Sequence, residues 1–150
     1  MVTPSTHQTS TRSTLVLDSE GRLYGTTDVG GATGNGTIYR LTPQSGGRWK
    51  ETILYSFKGG AGGQEPSAGV VMDQAGNLYG TTIGGGSGCG CGVVYKLAPQ
   101  AGGKWKYTLL HTFVGSDGAG PDANLILDGK GNLYGTTATG GAGGAFELTP

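Results

Sequence analysis

The run Asp-x-x-Gly-(Asn/Arg)-Leu-Tyr-Gly-Thr-Thr occurs three times, from Asp18 to Thr27, Asp73 to Thr82 and Asp128 to Thr137. Successive copies stand 55 residues apart. A fixed period of this length marks a chain built from one supersecondary unit, repeated and stacked so that neighbouring units bury each other's apolar faces. The fold and the search for function both follow from that unit.

Each unit reads as four short strands. In the first, Leu15–Leu17 forms strand A, and the Asp18–Gly21 segment a turn with Asp and Gly at the positions a type I turn favours. Arg22–Thr27 is strand B, rich in β-formers, and a glycine-rich loop over 28–36 leads to strand C at Thr37–Thr42. Pro43 ends C, because proline cannot donate to a central ladder. Strand D spans Trp49–Phe57, with Trp49, Glu51, Ile53, Tyr55 and Phe57 expected on one face. The second unit repeats this at 69–72, 77–82, 93–98 and 105–113, and the third at 124–127, 132–137 and 145–149. No stretch has helical periodicity, and 33 glycines in 150 residues oppose helices.

Four antiparallel strands per unit is the blade of a β-propeller. The expectation is an all-β chain of under three blades, with residues 1–13 as a tail and repeats over 14–68, 69–123 and 124–150. An open arc would expose two apolar blade faces, and rings typically need four to eight blades. A homodimer closing a six-bladed ring is therefore expected. The tail from Val2 to Arg12 reads either as a strand added across that interface or as disordered chain.

Composition removes several function classes. Ten basic residues balance ten acidic ones with no basic stripe, so nucleic acid and anionic membranes are not the expected partners. No apolar run approaches a membrane span. Met1–Thr14 lacks the apolar core of a signal peptide. There is no Gly-x-Ser-x-Gly elbow, and no glycine-rich loop runs from a strand into a helix.

The repeat also serves as a filter. Asp18, Asp73 and Asp128, with Tyr24, Tyr79 and Tyr134, recur in every unit and read as structure. The long B–C loops (28–36, 83–92, 138–144) and D–A connections (58–68, 114–123) define the expected functional end. Residues that break the repeat there are the candidates. Asp122 and Asn124 flank the third strand A, where the other units have Ser67 and Gly69, or Arg12 and Thr14. Doubled by a two-fold axis they would supply oxygens for Ca²⁺; alternatively they are a turn cap and a polar channel residue. Cys89 and Cys91, one residue apart, are read as small loop residues or, with His111, as Zn²⁺ ligands. A disulfide between them is expected to be strained. His111 aligns with Tyr55, a framework position. Asp28, Glu65 and Asp117 complete the candidate ligand-binding face. Trp49 and Trp105 sit at the opposite end, in Gly-(Arg/Lys)-Trp-Lys, and read as edge residues flanked by lysine gatekeepers, with stacking on sugars as the alternative.

The runs Asp-x-x-Gly-Asn-Leu-Tyr-Gly-Thr-Thr, Gly-Gly and Gly-Thr-Ile-Tyr-Arg-Leu-Thr-Pro resemble the choice-of-anchor tandem repeat GloVer family, from about Thr14 to Pro150. The resemblance implies a bacterial, extracellular or cell-surface protein built of propeller-like repeats, and it transfers no catalytic residues. Two functions follow as expectations. One is a binding or scaffold module for a glycan, peptide, protein or small molecule. The other is a metal-dependent hydrolase of the lactonase, arylesterase or phosphotriesterase kind, with a channel-bound cation activating water.

Overall fold

A computed structural model of the protein describes residues 14–140 and 144–150. The tail expected to exchange between chains lies outside the described residues, as does part of the third B–C loop.

Eleven strands form three antiparallel sheets. The first sheet runs β1 (Val16–Leu17), β2 (Leu23–Thr27), β3 (Thr37–Pro43), β4 (Trp49–Ser56). The second repeats it with β5 (Val71–Met72), β6 (Leu78–Thr82), β7 (Val93–Pro99) and β8 (Trp105–Thr112). The third holds β9 (Ile126–Leu127), β10 (Leu133–Thr136) and β11 (Ala145–Leu148), with β10 in the middle. Each falls within a residue or two of its expected position. Among the described residues, helix is confined to single 3-10 turns at Ser45–Gly47, Gly60–Gly62 and Ala101–Gly103.

The repeated Asp builds the A–B turn. Asp73 Oδ1 accepts the amides of Ala75 and Asn77, both at 2.9 Å, while Oδ2 accepts Asn77 Nδ2 at 2.7 Å and the Tyr79 hydroxyl at 3.0 Å. Asp18 and Asp128 do the same, with Arg22 Nε taking the place of the asparagine amide beside Asp18. One carboxylate thus closes the turn and ties it to the tyrosine of strand B. Burial pushes the Asp73 carboxyl up, but its hydrogen bonds outweigh this and hold it below the usual value, and the same balance holds at Asp18 and Asp128. The unfolded chain therefore binds these protons more readily than the folded one. Their stabilisation is complete above the unfolded value near 3.8 and is lost as pH falls through the lower folded values. Thermal melts followed by circular dichroism should be flat above pH ~5 and drop below pH ~4. Asp73→Asn should start about 1–3 kcal/mol less stable and show a shallower acid limb.

The glycine of Leu-Tyr-Gly-Thr-Thr has a packing reason. Tyr95 lies across Gly80, so that a Cβ there would run into the tyrosine hydroxyl; Tyr39 over Gly25 and Phe146 over Gly135 repeat the arrangement.

The expected single face of strand D is corrected by a bulge. Ile38 pairs with Tyr55 but Tyr39 pairs with Ile53, leaving Leu54 as an extra residue, and Leu110 is extra in β8 in the same way. One inserted residue flips every side chain beyond it. Tyr55 is thereby turned away from the face carrying Trp49 and Ile53. It stacks instead on Tyr107 of the second sheet, with centroids 4.3 Å apart and planes 4° from parallel.

Two cores result, one at each junction. Tyr24, Ile38 and Phe57 meet Val70, Leu78, Val93, Tyr95 and Leu97 between the first and second sheets. Tyr79, Val94 and Phe113 meet Leu125 and Leu133 between the second and third.

Candidate functional site

The D–A connections thread between successive B–C loops, which places both at one end of the sheets. The Glu65 amide donates to Asn35 O at 3.0 Å and its carbonyl accepts from the Ile83 amide at 3.1 Å. Gly120 links Cys91 and Ala138 in the same way at the next junction. Glu65 and Gly120 occupy matching places, with φ of 58° and 62°. Glu65 holds a conformation that its counterpart meets with glycine, and its exposed carboxylate is engaged only by Gln64 Nε2, at 3.4 Å.

Cys89 and Cys91 are joined as a disulfide, with Cα atoms 5.3 Å apart. The sequence reads them as small loop residues or Zn²⁺ ligands; here they are bonded to each other. Glycines at 88 and 90, each with positive φ, curl the chain enough to bring the two Cα atoms inside the usual bridging range. The sulfurs, bonded to one another, are not a free thiolate pair for Zn²⁺. The matching residues in the first unit are Thr33 and Asn35, whose side chains are hydrogen-bonded at 3.1 Å. Thr33 Oγ1 also donates to Phe57 O, and Cys89 Sγ lies 3.7 Å from Phe113 O. The disulfide is thus a covalent version of a tether that the first loop makes with polar side chains.

His111 stands on β8 with Nε2 2.9 Å from Asp117 Oδ2, and Asp117 Oδ1 accepts the Val114 amide at 2.8 Å. The Val114 amide, against a smaller desolvation, and then His111 hold the Asp117 carboxyl below its usual range. His111 packs edge-on to Phe113 at 4.7 Å. The pair closes the start of the second D–A connection.

Asn124 is also engaged. Its Oδ1 accepts the Gly69 amide at 2.7 Å, and its Nδ2 donates to Thr14 Oγ1 at 2.8 Å. Residues 14, 69 and 124 are the same position of the three units, so one amide stitches together the starts of all three inner strands. Asp122 is exposed, and Asp28 is half-buried with an Oδ1 that has no partner among the described residues. Among the described residues no group of three or more His, Cys, Asp and Glu side chains is placed to hold a metal ion.

The opposite end holds a cleft that the sequence did not disclose. A cleft of about 610 Å³ opens between the first and second sheets, walled by the A–B turns at Asp18 and Asp73, by Arg40 of β3 and by the β7–β8 turn ending in Trp105. Trp105 reaches across to Tyr24 of the first sheet, ring to ring at 6.4 Å and 65°. It is therefore an inter-sheet contact as well as a residue of the edge strand β8. Arg40 brings a guanidinium whose Nε is buried without a hydrogen-bond partner among the described residues.

A family model described as the Gloeobacter/Verrucomicrobia repeat matches residues 2–150. The chain belongs to this family. No curated protein matches it. Within the Gloeobacter/Verrucomicrobia repeat the positions that differ between units are the informative ones. Arg40, Lys96 and Glu147 share one place, opposite Tyr24, Tyr79 and Tyr134 in the ladder. Lys96 Nζ sits 5.4 Å from the Tyr79 ring centre and Glu147 accepts the Tyr134 hydroxyl at 3.1 Å. That variation was a signal in the sequence that could have pointed to the cleft.

Proposed function

We propose that this repeat protein is a non-enzymatic binding and scaffold module. Its blades close a ring with those of a second copy, and its loop-rich end faces a glycan, peptide or protein ligand. The observation that carries the reading is a mismatch in burial between equivalent positions. Val70 and Leu125 are 4% and 3% exposed on the faces they turn to the preceding sheet, whereas Leu15, their counterpart in the first sheet, is 47% exposed. Leu23, Tyr39 and Leu41 are likewise more open than Leu78, Tyr95 and Leu97. The other face of the third sheet shows the reverse side of the same gap. Ile126 is 67% exposed, and Ala145 is exposed where Ile38 and Val94 are fully buried.

These two faces are the halves of the junction that the protein already makes twice within itself. The second face of the third sheet carries an apolar hollow of about 470 Å³ bounded by Ile126, Tyr134 and Ala145. A first-sheet face, with Leu15 and Trp49, has the side chains to fill it. Two copies related by a two-fold axis would make the junction twice and complete a six-bladed ring. Secretion is part of the proposal, and the Cys89–Cys91 disulfide supports it, because such bonds persist in oxidising compartments.

Size-exclusion chromatography with light scattering tests the assembly. The expected mass is twice the 15.1 kDa of the chain. Ile126→Asp, at an exposed position, should leave circular dichroism unchanged and return the mass to that of one chain. A wild-type mass of one chain, or a dimer indifferent to Ile126→Asp, sinks the ring.

A further inference from the structure

We propose that the cleft between the first and second sheets binds a neutral oligosaccharide, with Trp105 as its stacking surface and Arg40 as its principal hydroxyl-binding donor. This deepens the binding-module reading and rests on it. It adds a ligand site at the tight-turn end, inside one chain, besides the loop-rich face.

The cavity has the size of a small-molecule site, for which about 300–1,000 Å³ is usual. Its chemistry follows from which groups are already spent. Asp18 and Asp73 each accept four hydrogen bonds from their own turns and have little capacity left for a ligand's donors. Arg22 is committed to Asp18 and Glu20, at 2.6 Å each. What remains uncommitted among the described residues is an indole, the Arg40 guanidinium, the Lys104 ammonium, the Ser19 hydroxyl, the Gln74 amide and the oxygen of the Gln100 amide, whose nitrogen is held by Pro99 O. The charged side chains around the cleft balance, with Asp18, Glu20 and Asp73 against Arg22, Arg40 and Lys104.

A phosphate or polyanion would seek a net positive lining, and an amine an unsaturated carboxylate; a lining of three acidic and three basic side chains with its aspartates saturated favours neither. Planar amide and guanidinium groups beside an indole suit a ligand with an apolar ring face and hydroxyls at its edge, which both donate and accept. A pyranose has that character. The cleft depends on two sheets meeting, since Trp105 and Gln100 come from the second and Arg40 from the first. A single unit could not make it.

Isothermal titration calorimetry with cellotetraose, maltotetraose and a galacturonic acid tetramer, each at millimolar concentration, tests the proposal. At least one neutral tetrasaccharide should bind, with affinity reduced about tenfold or more in Trp105→Ala and in Arg40→Gln. Circular dichroism separates these losses from unfolding, and Arg40→Gln guards against Trp105→Ala failing to fold. The proposal is overturned if neither neutral sugar binds, if only the galacturonic acid tetramer binds, or if binding survives both substitutions in folded protein. Light scattering on the same samples keeps the two readings apart. A dimer without sugar binding removes the cleft site alone, and sugar binding by a single chain removes the ring alone.

Discussion

Phe57→Ala should lower the unfolding free energy by about 3–5 kcal/mol, a large share of the roughly 5–15 kcal/mol typical of a whole domain. Phe57 is fully buried and stands where strand D of the first sheet runs into the D–A connection. Its ring meets Tyr55 at 5.2 Å, Tyr95 at 5.3 Å and Tyr107 at 5.9 Å, all nearly edge-on. Those three rings come from two sheets and constrain one another: Tyr55 is stacked flat on Tyr107, and Tyr107 is tied by its hydroxyl to Gly62 O at 2.9 Å. The cage cannot collapse into the space the ring leaves, so the cost of the cavity adds to the cost of lost burial. The backbone is anchored independently, with the Phe57 amide donating to Gly36 O at 3.0 Å, so the substitution removes packing rather than the turn. Urea denaturation followed by tryptophan fluorescence would measure the loss. Val114→Ala, at a side chain 57% exposed in the second D–A connection, should stay within about 0.5 kcal/mol of wild type. A loss below about 1 kcal/mol for Phe57→Ala would mean that the junction between sheets is not what holds them together.

That junction also marks the boundary of what the sequence could disclose. Strand positions were legible because each unit carries its own punctuation. The Asp turn fixes where A ends and B begins, the glycine loop separates B from C, and Pro43 and Pro99 close C. These are local effects, and three copies reinforce each reading. The bulges at Leu54 and Leu110 were not legible, since an extra residue in β4 or β8 is defined only by the register of the strand beside it. Simple alternation put Tyr55 on the face of Trp49, and the wrong face concealed the stack that joins two sheets.

The site followed the same rule. Repeat-breaking residues were the right place to look, but what each does depends on partners distant in sequence. Cys89 and Cys91 replace the bonded pair of Thr33 and Asn35, a substitution visible only when the two loops are compared atom by atom. Asn124 reads as a metal ligand or a polar channel residue; its amide bonds Gly69 and Thr14, one and two units back. Trp105 reads as an edge residue and Arg40 is passed over, because each is unremarkable within its own unit. Only the approach of one sheet to the next makes a cleft of them.

Gly92→Ala should cost about 3 kcal/mol or more, through two effects that a second glycine separates. Gly92 closes the second B–C loop with φ +97°, a conformation that side chains rarely adopt. Its amide donates to Gly85 O at 2.9 Å and its carbonyl accepts from Phe113 at 3.0 Å, so the residue cannot relax without breaking the loop from both sides. A Cβ there would collide with the carbonyl oxygen of Thr82 and stand 2.8 Å from Pro121 Cδ. Both obstacles are rigid: one is strand backbone and the other a proline ring from the neighbouring connection. Gly36 stands in the same vice in the first unit, between Thr27 O and Pro66, which shows the close approach to be a requirement of the repeat. Gly88, four residues earlier, has φ +80° but nothing within 4 Å of a Cβ. Gly88→Ala therefore measures the backbone conformation alone and should cost about 1–2 kcal/mol. The difference between the two variants, read from urea denaturation midpoints, isolates the collision. Equal losses at the two positions would mean that the loop can draw away from β6. The Thr82–Pro121 gap would then not be what fixes the spacing between the second B–C loop and the connection to the third sheet.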